Sequence, residues 1–153
     1  MGQVEKVIEL AQQLAEETPG FFEVKGAGVG DRATNAFMME LRKRAAATLG
    51  EDFSERRICG ENNLAVDFFF PEEAVVLEVA FSLRNPASEF ERDLLKALMA
   101  KESGHEVRRL VFLSKPGALK RHKQPSTEAI VAWARRKHGL DVEFHELRAG
   151  SDL

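Results

Sequence analysis

In the stretch AVDFFFPEEAVVLEVAFS, residues 65–82, two acids sit inside apolar runs: Asp67 in the first and Glu78 in the second. A carboxylate among strand residues is costly to bury unless something pairs with it. Side chains alternate along a strand, so Val75, Leu77, Val79 and Phe81 point one way and Val76, Glu78 and Ala80 the other. With Pro71-Glu72 at the tip of a hairpin, Asp67 and Glu78 fall at similar distances from it and are expected as cross-strand neighbours about 5–8 Å apart. Two carboxylates that close repel each other unless they share a proton or a cation. An oxygen-lined divalent site is one resolution, because magnesium takes one or two carboxylates, a backbone carbonyl, waters and phosphate oxygens. A solvent-facing acid, or pairing with Arg56, Arg57 or Arg84, is the other.

The elements that must position this pair follow from periodicity. Val4, Val7, Ile8, Ala11 and Leu14 mark an amphipathic helix over residues 3–16, ended by Thr18-Pro19-Gly20. A glycine-rich connection with Gly26, Gly28 and Gly30 follows, whose spacing fails the dinucleotide fingerprint because position 31 is Asp31. A second helix runs over about residues 32–49 and closes at Gly50. Residues 53–59 read as a weak strand, 64–70 as a strand after the GENN turn, and 74–82 as the strongest strand, together an antiparallel meander. Asn85 and Pro86 start a helix to about Ser103. Residues 107–114 form a fourth strand, 115–125 a loop, 126–139 a helix capped by Ser126, and 141–147 a last strand. The prediction is one α/β domain over 1–153, a mixed sheet of about five strands flanked by helices. Within it, residues 1–31 supply the first helix and glycine-rich connection, and 32–147 the core.

The chain has 153 residues and a net charge of −3, which by itself argues against nonspecific nucleic-acid binding. The charge is unevenly spread. Residues 1–100 carry 11 basic and 18 acidic side chains, whereas 101–138 carry 10 basic and 3 acidic. Such asymmetry can place a basic face on an acidic protein. No apolar run approaches the roughly 18 residues of a membrane span. The acidic MGQVEKVIEL start is unlike a signal peptide, and the lone Cys59 fits a reducing compartment, so a cytoplasmic address is expected. Four histidines show no zinc-ligand spacing. Trp133, beside Ile130 and Ala134, reads as core.

The order helix, three-stranded meander, helix, strand, helix, strand, with an acid in the second strand and Glu78-Val79-Ala80 in the third, resembles the PD-(D/E)XK nuclease superfamily. The resemblance covers residues 32–147 and implies a restriction-endonuclease-like sandwich. It also implies a nuclease that hydrolyses DNA with Mg²⁺ or Mn²⁺, leaving a 5′ phosphate. Asp67 and Glu78 match the family's metal-binding acids, Val79 would offer its carbonyl, and Glu40 lies where many members place another acid. Ala80 stands where the family has lysine. Some relatives supply that group from the following helix, where this chain offers Glu89, Glu91, Arg92 and Lys96. Counted at about 100° per residue from Phe90, the apolar arc of Phe90, Leu94, Leu95, Leu98 and Met99 has Glu91 near its middle and Lys96 on the opposite face. Glu91 is therefore expected inward and Lys96 solvated, with Lys96 kept as a candidate by the resemblance.

DNA phosphates would meet Arg108, Arg109, Lys115, Lys120, Arg121 and Lys123, extended by Arg135, Arg136 and Lys137. Dimers are common among such nucleases, so a homodimer is an expectation by analogy. One rival is a nuclease fold that has lost its chemistry and binds nucleic acid or a protein. Another is a small-molecule α/β enzyme using the glycines at 26–30.

Overall fold

A computed structural model of the chain describes residues 2–23, 29–81 and 86–149. They separate into two compact units, 1–52 with 147–153 and 53–146. In the first unit, α1 (Gln3–Glu17) buries Val4, Val7, Ala11 and Leu14, the stripe its periodicity predicts. The helix stops where Thr18 turns its hydroxyl back to the Leu14 carbonyl, 3.0 Å, ahead of Pro19. The second helix, α2 (Val29–Leu49), starts earlier than its sequence pattern suggests, so Gly30 is helical. It buries Phe37, Met38, Leu41 and Ala45. Phe37 stacks on Phe21 with centroids 4.7 Å apart, and Arg44 bridges to Glu17 at 2.7 Å. The expected glycine contacts at Gly26 and Gly28, and the Asn85 cap, lie outside the described residues.

The second unit is built on a five-stranded mixed sheet: β1 (Ser54–Arg56), β2 (Val66–Phe70), β3 (Val75–Ala80), β4 (Arg109–Ser114) and β5 (Asp141–Glu146). The strands lie side by side in chain order. β1, β2 and β3 form the antiparallel meander, and β4 and β5 continue it in parallel. The α/β class and mixed sheet are thus as read from the sequence. The β2–β3 turn closes with Ala74 at φ 56°, a left-handed conformation unusual for a residue with a Cβ.

The parallel pairs need crossovers. α3 (Pro86–Glu102) joins β3 to β4, and α5 (Pro125–His138) joins β4 to β5 after the short α4 (Leu119–His122). Crossovers of one hand stepping the same way along a sheet place their helices on one face. Accordingly Phe90, Leu94, Ala97 and Ala100 of α3 and Ala134 of α5 share one buried cluster with Phe69, Val76, Leu110 and Phe112. Three expectations are corrected here. The stretch read as a loop contains α4, and Ser126 does not cap α5, because Pro125 already occupies the first turn after an extended Gln124. Trp133 is not core: it is 39% exposed, its ring edge-on to His138 at 4.9 Å. No helix among the described residues is long and apolar enough to cross a membrane.

Candidate active site

The site begins where a ladder stops. β2 and β3 pair at Phe70↔Val75, Phe69↔Val76 and Phe68↔Leu77. One step further would set Asp67 opposite Glu78, and there side chains replace the backbone bonds. The Asp67 amide donates to Glu78 Oε1 at 2.6 Å, and the Val79 amide donates to Asp67 Oδ2 at 2.8 Å. Each acid is therefore fixed by the backbone of the other strand. By alternation from the Phe69↔Val76 pair, both emerge on the face that α3 covers.

Glu78 is 1% exposed, yet Asp67 is half-buried, so the pair reaches solvent at the Asp67 side. From α3, Lys96 extends its ammonium between them and the helix. Nζ lies 2.6 Å from Glu78 Oε2, donates to the Ala65 carbonyl at 2.8 Å, and lies 3.1 Å from Asp93 Oδ1. Three N–H groups thus meet three acceptors. Behind them, the Cys59 thiol donates to the Lys96 carbonyl at 3.4 Å.

The electrostatics are lopsided: the buried Glu78 carboxyl faces two other acids, Asp67 and Asp93, and one ammonium. Burial holds the Glu78 carboxyl well above its ordinary range, the Asp67 and Asp93 charges push the same way, and Lys96 only partly offsets them. Burial acts against the charge on Lys96, but Glu78 and Asp93 outweigh it and keep the ammonium above its ordinary pKa. A buried ion pair adds little net stability, because desolvation consumes most of the attraction. A desolvated cluster with perturbed protonation that still opens to solvent is instead the physical mark of a functional-site candidate.

Asp67 and Glu78 are the oxygen donors a divalent ion could meet here, with both Glu78 oxygens already engaged by the Asp67 amide and Lys96. An added positive charge would relieve the repulsion that raises Glu78. Among the described residues no group of three or more His, Cys, Asp or Glu is arranged to hold a metal. An ion here would therefore rest on the two acids, a backbone carbonyl such as that of Val79, and water, the sparse protein ligation magnesium accepts.

The structure distributes the remaining candidates. Glu91 is exposed, contrary to its expected inward phase, while Lys96 turns in, its side chain only 12% exposed. The sequence reading also passed over Asp93, whose signal lies in Ala97 and Ala100. These two alanines mark the closely packed line of α3, and counting them in place of Leu95, which is 58% exposed, rotates the buried arc toward Asp93 and Lys96. Glu40 belongs to the first unit, where Arg44 donates to it at 3.0 Å. Among the basic residues, Arg108 pairs with Glu106 and Arg109 forks onto Glu143. Lys120 and Lys123 are exposed and Lys115 is half-buried; the Arg121 side chain lies outside the described residues. A separate concavity of about 580 Å³ lies between α5 and β5 over Val131, Val142 and Phe144, and none of the candidate catalytic residues lines it.

Compared with known proteins, the chain matches no family model, no curated protein and no solved structure.

Proposed function

We propose that this chain is a metal-dependent nuclease of the PD-(D/E)XK kind, with a restriction-endonuclease-like core, hydrolysing DNA phosphodiester bonds. The observation that carries the reading is Lys96 Nζ at 2.6 Å from Glu78 Oε2. A lysine from the helix after the motif strand thus reaches the second acid, offering from α3 the group that Ala80 cannot. Asp67 and Glu78, with the Val79 carbonyl, would hold Mg²⁺ or Mn²⁺. When bound, such an ion supplies Lewis-acid polarisation of a phosphate and acidification of an attacking water.

The chain's own residues define the rest. The Val79 amide orients Asp67, and the Asp67 amide orients Glu78, so neither acid has to be ordered when substrate arrives. Lys96, kept charged by Glu78 and Asp93, serves as a cationic partner for phosphate charge and not as a proton acceptor. Lys120 and Lys123 would offset neighbouring phosphates without reading sequence. The test is cleavage of branched, single-stranded and duplex DNA with Mg²⁺ or Mn²⁺ by wild type, Asp67→Ala, Glu78→Ala and Lys96→Ala. Activity confined to wild type is expected, and equal rates in all four proteins would remove the mechanism.

One observation favours a second reading, a nuclease fold that binds nucleic acid without cutting it. Both Glu78 oxygens are already engaged, one by the Asp67 amide and one by Lys96. That module would show no thermal shift with Mg²⁺, but salt-sensitive DNA affinity weakened by charge reversal at Lys120, Arg121 and Lys123.

A further inference from the structure

Ser114 ends β4 and is fully buried, and its Oγ has no hydrogen-bond partner among the described residues. The four residues before it, Leu110 to Leu113, are apolar and equally enclosed, so packing alone would be served by alanine. A buried hydroxyl without a partner forfeits its hydrogen bond to water, and native structures rarely leave one so.

Its position says what the partner would be. Ser114 is in register with Ala80 on one side and Glu146 on the other. Glu146 does not serve it, because its two oxygens accept from the Gly117 and Leu119 amides at 2.9 and 3.1 Å. Ala80 carries no polar group, so it cannot serve the hydroxyl either, and it is partly exposed. The Glu78↔Phe112 and Ala80↔Ser114 pairs put Ser114 on the same sheet face as Glu78. Lys96, the cation of that face, already has three acceptors. An anionic oxygen seated over Ala80 would find its neutral donor in Ser114.

We propose that Ser114 is a further substrate-binding residue, its hydroxyl donating to a phosphate oxygen in the place left by the missing side chain at Ala80. This rests on the nuclease reading of Asp67 and Glu78. The experiment is calorimetric titration of thymidine 5′-monophosphate with Mg²⁺ into wild type, Ser114→Ala and Ser114→Thr. Unliganded melting temperatures and KM and kcat for DNA are measured on the same proteins. Ser114→Ala should bind the nucleotide about tenfold more weakly, the scale of one hydrogen bond to a charged oxygen. Its melting temperature should be unchanged or higher, its KM raised and its kcat preserved, and Ser114→Thr should recover the affinity. Unaltered nucleotide affinity in Ser114→Ala overturns the proposal, as does a loss that only tracks a lowered melting temperature, or no nucleotide binding by wild type. If Asp67→Ala and Glu78→Ala abolish cleavage while Ser114→Ala binds normally, this inference alone fails. If those two variants cleave like wild type, the nuclease reading fails with it.

Discussion

Lys96 and Glu78 meet end to end, Nζ to Oε2 at 2.6 Å, although one lies on a strand and the other deep in the following helix. The contact joins α3 to the break in the β2–β3 ladder, because the same ammonium also holds the Ala65 carbonyl just before β2. It gathers in one place the second acid of the candidate site, the entry to the first acid's strand, and the helix face that carries Asp93. What that junction does can be measured.

Removing Lys96 leaves the buried Glu78 carboxyl and the partly buried Asp93 carboxyl without their cationic partner. Lys96→Ala should lose on the order of 3 kcal/mol in chemical denaturation, the usual cost of breaking a buried pair from one side. The double variant Glu78→Gln/Lys96→Met removes both charges and should recover much of that loss. A double-mutant cycle with no coupling would show that Lys96 acts through packing and not through charge.

Stability should also depend on pH through Glu78. Its folded pKa lies above the ordinary 4.5, so the native state holds a proton that the unfolded chain releases. The resulting stabilisation is complete below 4.5 and is lost as pH rises through the folded pKa. Lys96, raised above 10.5, keeps its contribution throughout this window, and Glu146, held below 4.5 by two amides, has gained its own before the window begins. The melting temperature of wild type relative to Glu78→Gln should therefore fall steadily from acid toward neutral pH. A difference independent of pH would contradict the burial of that carboxyl.

Cys59 provides a reporter from behind the site. Burial pushes its thiol pKa up, and only 2% of the residue is exposed. Native protein should resist iodoacetamide and become alkylated as denaturant opens it, since the thiolate is the reactive form. Lys96→Ala keeps the backbone carbonyl that Cys59 hydrogen-bonds, so it should accelerate labelling only as far as it lowers the free energy of opening. Rapid labelling of the folded wild type would refute this placement.

The turn between β2 and β3 stores a small strain at Ala74, φ 56°. Ala74→Gly trades a left-handed penalty of about 1–2 kcal/mol for a glycine entropy cost of about 0.5–1 kcal/mol. A net gain of roughly 0.5 kcal/mol in denaturant unfolding is expected, and Ala74→Val should be clearly destabilising.

Much of this architecture was legible because apolar periodicity and turn residues state it directly. The stripe of α1, the meander around Pro71 and the pairing of Asp67 with Glu78 all follow from alternation and hairpin length. The orientation of α3 did not, because its wheel was weighted toward large residues. Leu95 faces outward, whereas Ala97 and Ala100 mark the side pressed on the sheet. Lys96 then reaches inward by its length, a freedom no helical phase records. Ser114 was hidden for a different reason: its lack of a partner depends on where the Glu146 carboxylate turns, which is set by amides far along the chain.

The exchange of bonds at the end of the β2–β3 ladder makes hairpin length the ruler of the site. One residue inserted between Pro71 and Ala74 would slip the later strand by a position, carry Glu78 to the far side of the sheet and bring an apolar neighbour opposite Asp67. The acids would part together, since each is tethered to the strand of the other. In a homologous chain, a turn of a different length would thus mean a lost or rebuilt site, even with both carboxylates still present in the sequence.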